Sequence, residues 1–164
     1  MGLWSLAGLA SFFTNTLVRN MPSVENHMLE QAGQMVENEA KRVLGSYDYG
    51  FAPLAPSTIA RKALGDSPGL ETGEMRDSVH HYVTHHTGGG VVNVGSDLDK
   101  ALWFELGTSR GQPARPWLRV AGELMAPFVA DMCGAEMNTF LQGGTVSKQF
   151  GYAEHKAAWQ ARNP

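Results

Sequence analysis

Residues 79–95 read Val-His-His-Tyr-Val-Thr-His-His-Thr-Gly-Gly-Gly-Val-Val-Asn-Val-Gly. Val79, His81 and Val83 alternate with His80, Tyr82 and Thr84, which is the period of a half-buried strand. Val91, Val92 and Val94 make a second β-branched run. Gly88, Gly89 and Gly90 between the two runs read as a flexible hairpin tip. A lone hairpin is at best marginal in water, so this one needs helices to cover it.

Two long helical patterns flank it. From Pro22 to Leu44, the residues Val24, Met28, Ala32, Met35, Val36, Val43 and Leu44 recur at three- and four-residue steps. Asn20 and Pro22 mark the start, Glu25 lies near the positive end of the dipole, Lys41 and Arg42 fall in the last turn, and Gly45 supplies the stop. From Trp117 to Leu141 a second stripe runs through Leu118, Ala121, Leu124, Met125, Phe128, Val129 and Met132. Pro127 is expected to kink or split that helix. Between the first helix and the hairpin, residues 46–73 are rich in Pro, Gly, Ser and Asp and read as a long, semi-ordered loop. Residues 56–63 allow a short helix within it, and Thr72 reads as the N-cap of a single turn ending at Ser78. After Asp97, a short helix carrying Ala101, Leu102, Phe104 and Glu105 ends at Gly107, and residues 112–116 form a proline-bearing connector. The expected fold is therefore α+β: a small, mostly antiparallel sheet packed by two long helices, with a long loop and extended termini. The division is an N-terminal arm (1–20), a single domain (21–141) and a C-terminal tail (142–164).

Composition narrows the function. A chain of 164 residues with 43% apolar and 18% charged residues supports one domain with a core. The net charge of −3 lacks the basic surplus of a protein that grips phosphates, and suits a surface past which DNA slides without sticking. With Cys133 as the single cysteine, no internal disulfide forms. Its apolar neighbours Met125, Phe128, Val129 and Met132 suggest an inert thiol. No run reaches the ~18 apolar residues of a membrane span. The apolar stretch from Gly2 to Phe13 lacks the leading charge and cleavage site of a signal peptide, and Leu6 breaks the myristoylation pattern. It reads as an arm or short helix that docks on a neighbour.

Catalytic patterns are weak. His80, His81, His85 and His86 suggest a small metal-binding module as one alternative. On a strand, however, His81 and His85 lie about 13 Å apart, and His80 and His81 face opposite ways. Glu71, Glu74, Asp77, Asp97, Asp99 and Glu105 show no acid/base spacing. There is no nucleophile elbow, and the glycines at 88–90 lack the Lys-Ser/Thr ending of a phosphate loop. No enzyme, cofactor or metal is expected.

A different set stands out. Leu70, Thr72, Gly73, Met75, Ser78 and Val79 form one motif, and Val94-Gly95-Ser96 a second. Ala101, Glu105, Gly107 and Thr108 form a third, and residues 113–118, Pro-Ala-Arg-Pro-Trp-Leu, a fourth. In this order and spacing they resemble the tail-completion, or head–tail joining, family of long-tailed bacteriophages, which is loosely related to phage virion-morphogenesis proteins. The resemblance is clearest over residues 57–121. Lys100 stands where the family has an aromatic, Trp117 where it has Phe, and Val120 where it has Pro.

The resemblance implies a structural protein of the virion neck, made in the host cytoplasm. It implies copies in a ring, sixfold like the tail, between head-side connector proteins and the tail terminator or tube, with DNA passing nearby. A tail-terminator or other tail-end role is the alternative. The structural and interface candidates are Gly73, Glu105, Gly107, Thr108, Arg115, Pro116 and Trp117. Gly73 and Gly107 are expected at sharp turns. Glu105 and Arg115 are expected to pair across the connector, Pro113 and Pro116 to fix the approach of the last helix, and Trp117 to anchor an interface or the core. Leu3, Trp4 and Leu6 in the arm and Phe150, Tyr152 and Trp159 in the tail are expected to dock on neighbours.

Overall fold

The computed structural model describes residues 19–144. The two terminal clusters of apolar residues therefore lie outside the described residues, as does most of the arm and tail that carry them. Helix α1 covers Arg19–Val43. Arg19 and Asn20, assigned above to the arm, are helical, and Pro22 lies inside the helix rather than at its boundary. Two single turns follow, α2 (Pro56–Ile59) and α3 (Glu74–Asp77). Strands β1 (Val79–His86) and β2 (Gly89–Ser96) pair antiparallel, from Val79 opposite Ser96 to His86 opposite Gly89. The turn is thus Thr87-Gly88, and Gly89 and Gly90 already belong to the ladder. Helices α4 (Asp99–Leu106) and α5 (Trp117–Leu141) complete the order.

The fold is α+β: a two-stranded antiparallel sheet packed against two long helices. α1 is the shared element, touching α5 and both strands. Alternation along β1 puts Val79, His81 and Val83 on one face, opposite Ser96, Val94 and Val92. This face lies directly on α1 at Gly33. A Cβ there would come within 2.4 Å of His81 Cδ2 and 2.8 Å of Val92 Cγ2, so a glycine in mid-helix is what lets the hairpin sit this close. Glu25 Oε1 accepts the Gly90 N–H at 2.5 Å and ties the hairpin tip to the first turns of α1.

α1 and α5 run antiparallel. Ala40, Val43 and Leu44 meet Trp117 and Ala121 in one core cluster, which also takes in Phe51, Met75, Val79, Ala101 and Phe104. Ala32 and Met35 meet Met125, Phe128 and Met132 in a second. Pro127 does not split α5. It lies on the exposed face, as does Glu123 four residues earlier, so water can solvate the carbonyl that the proline leaves without a donor. Cys133 packs against the second cluster, and burial together with the Glu136 charge raises its thiol pKa.

Residues 46–73 are more firmly held than their composition suggests. Phe51 and Pro68 are buried, the Gly45 N–H donates to the Pro68 carbonyl at 2.7 Å, and the Tyr47 hydroxyl bonds Asp66. The loop is a limb of the core, pinned at both ends, with α2 at its outer bend.

Candidate functional site

The sequence candidates converge on the junction between α3, α4 and the start of α5. Gly73 is the N-cap of α3 at φ +88°, a left-handed conformation that displaces Thr72 from the expected cap position. The Thr72 hydroxyl still accepts the Glu74 N–H, at 3.4 Å. Gly107 ends α4 at φ +75°, and a Cβ there would fall 2.8 Å from both Ala114 N and Gln112 O. Backbone crowds this position from the far side of the turn, so glycine is required twice over. Thr108 closes that turn: its N–H donates to Gln112 O at 3.0 Å and its carbonyl accepts the Gly111 N–H at 3.2 Å.

Glu105 and Arg115 do not pair. Glu105 turns both carboxylate oxygens on the first turn of α5, accepting the Leu118 N–H at 2.9 Å and the Arg119 N–H at 3.1 Å. The physical reason is local. Pro116, the N-cap residue, has no side-chain acceptor, so α5 starts with bare N–H groups and a positive dipole end that a carboxylate from α4 satisfies. Arg115 turns inward instead. Its Nη2 donates to the Ala52 carbonyl at 3.0 Å, and its guanidinium lies 5.7 Å from the Phe104 ring centroid. Its backbone N–H donates to Phe104 O at 2.8 Å, so the connector is stitched to α4 by main chain as well.

Trp117 belongs to the core. It is 2% exposed and its indole N–H donates to Ala101 O at 3.2 Å, which rules it out as a surface anchor. An exposed tryptophan lies on α4 instead, Trp103, flanked by exposed Leu102 and Leu106. Sequence reading missed this face, because eight residues of mixed apolar character do not reveal which side is covered. Lys100 pairs with Glu74 at the surface.

The histidines take separate partners. His80 bonds the Ser78 carbonyl, His81 bridges Glu37 and Glu30 between β1 and α1, and His85 reaches Asn26. Among the described residues no three metal-ligating side chains converge. Burial raises the Glu37 pKa, but its bonds to Lys41 and His81 outweigh that and hold the carboxyl below its usual range. On α1, buried Glu39 receives the Arg42 guanidinium at 2.7 and 2.9 Å and the Tyr49 hydroxyl at 2.9 Å. Burial, then Glu39, push the Tyr49 phenol up to about 12.

A groove of about 700 Å³ opens beside the junction, between the outer bend of the long loop, α4 and the connector. Trp103 and Arg115 both line it. No protein-family model, no curated protein and no solved structure matches the chain.

Proposed function

We propose that the chain is a structural, non-catalytic subunit of a tailed-phage particle that joins the head connector to the tail. The observation that carries the reading is the placement of the four motifs. They come in one order along the chain and pack as one junction: Met75 and Val79 from the first and Ala101 from the third share a cluster with Trp117 from the fourth, and Val94 from the second packs against it. Supporting it is a surface suited to subunit contact, the exposed Leu102, Trp103 and Leu106 on α4. In this reading copies close a ring in the neck, contacting connector proteins on one side and the tail terminator or tube on the other, and a net charge of −3 lets DNA pass without adhering.

Interrupting the gene in the phage tests the role. The expected result is filled heads and finished tails that remain separate in electron micrographs of lysates, with joining restored by the supplied protein. Tails of irregular length would move the subunit to the tail end as a terminator. Joined, infectious particles lacking the chain would overturn the proposal.

A further inference from the structure

Arg115 is a buried cation without an anion. It is 6% exposed, its Nε is buried with no hydrogen-bond partner, and among the described residues no carboxylate forms an ion pair with it. The Ala52 carbonyl and the Phe104 ring face partly solvate it, but neither carries a charge. A buried guanidinium ordinarily has a carboxylate or phosphate against its planar fork. The groove onto which Arg115 opens carries two more cations without an ion pair among the described residues, Arg61 and Lys62, and Lys100, which Glu74 neutralises, against one lining acid, Glu71. That local excess is the reverse of the chain's overall charge. Burial lowers the Lys62 pKa, and the Arg115 charge adds to the effect while Glu71 and Asp66 oppose it. The uncharged lining mixes the polar Thr58, Thr72 and Gln112 with an apolar part that includes Leu54 and half-exposed Trp103.

We propose that this groove is the docking site for an extended, acidic segment of a partner protein, with a carboxylate seated on Arg115 and an apolar side chain laid on Trp103. Charge complementarity selects the acid, and the indole selects an apolar neighbour for it. A nucleic acid fits less well. Its phosphates need a run of solvent-facing cations, whereas of the four here Arg61 alone is exposed and Lys100 is already paired with Glu74. The inference stands on the groove alone and holds whether or not the chain is a neck subunit.

The test pans a random library of short peptides displayed on yeast against the full chain. Enriched peptides, labelled with fluorescein, are then titrated by fluorescence anisotropy. Peptides pairing Asp or Glu with an adjacent apolar residue are expected, with binding about tenfold weaker when the acid becomes its amide. Trp103→Ala and Arg61→Gln alter exposed side chains, so each is expected to weaken binding several-fold with an unchanged circular dichroism spectrum. Oligothymidylate and inorganic phosphate are expected not to compete. Enrichment without acids, no enrichment at all, indifference to Trp103→Ala, or displacement by the oligonucleotide or by phosphate would each overturn the proposal.

Discussion

Single atoms decide much of this structure at two positions, Gly33 and Glu105. An alanine normally improves a helix interior by about 1 kcal/mol over glycine. At position 33 the added methyl would meet the His81 ring and the Val92 side chain well inside contact distance. Gly33→Ala is therefore expected to lower stability by about 1–3 kcal/mol, because the hairpin must lift from α1. Urea unfolding reads it directly, and a more stable variant would mean that the hairpin yields at no cost. Glu105 carries the opposite lesson, a side chain whose role is to finish another helix. Glu105→Ala leaves the Leu118 and Arg119 N–H groups without their acceptors. The expected loss is about 1–2 kcal/mol, in the range of a deleted N-cap. Arg115→Met added to Glu105→Ala should then give an additive effect, since neither a hydrogen bond nor an ion pair joins the two side chains. A coupling above about 1 kcal/mol in that double-mutant cycle would restore the ion pair that the sequence suggested.

The elements differ in how openly the sequence declares them. The hairpin and the limits of α5 were legible because strict periods of two and of three to four residues survive any reading frame of neighbours. Trp117 begins and Leu141 ends the last helix as the pattern implies. The long loop was not legible as a core element. Phe51 and Pro68 are buried without any periodicity, and their neighbours are residues that ordinarily mark exposed turns. At the junction, spacing brought Glu105 and Arg115 together on paper, yet it carries no information about whether an acid will prefer a guanidinium or two bare N–H groups. Buried carboxylates were missed for a related reason, since an acid on a helix reads as its wet face. On α1, Glu39 is compensated by Arg42 and Tyr49. On α5, Glu136 occupies the core-facing stripe between Met132 and Phe140, and both its carboxylate oxygens are buried without a hydrogen-bond partner. Such a group opposes folding wherever it is charged. Glu136→Met, which keeps the length of the side chain, is expected to raise stability by about 1–3 kcal/mol and with it the thermal midpoint. A clear loss in a calorimetric scan would show that the carboxylate has a partner in the folded chain.

At the scale of the whole molecule, the placement of the carboxylates sets the range of pH over which it stays folded. α1 holds four of them at its contacts: Glu25, Glu30 and Glu37 face the hairpin, the last two at His81, and Glu39 faces Tyr49 of the loop. Loosening α1 loosens both other layers, so titration there is felt globally. Glu37 is depressed below 4.5 in the folded chain. The native state then binds fewer protons than the unfolded one in that region, so the contribution is complete above about pH 4.5 and is lost as pH falls through the folded value. Tyr49 has the opposite sign. Its pKa rises from 10.0 to about 12, so the native state holds the proton more tightly, and stability present below pH 10 is lost between pH 10 and 12. Cys133, raised above 9.0, pulls the same way, whereas Lys62, lowered beneath 10.5, opposes them. Tyr49 carries the larger displacement and decides the alkaline edge. Urea midpoints measured at successive pH values are thus expected to form a plateau that falls away on both sides. Glu37→Gln should flatten the acid edge, and Glu39→Gln should bring the Tyr49 phenol down toward 10 and shrink the loss above it. The difference in 295 nm absorbance between the native chain and Tyr49→Phe follows that phenol by itself. If every tyrosine of the native chain titrated near pH 10, the buried Glu39–Tyr49 contact would not exist in solution, and the loop would not be joined to α1 in the way the structure has it.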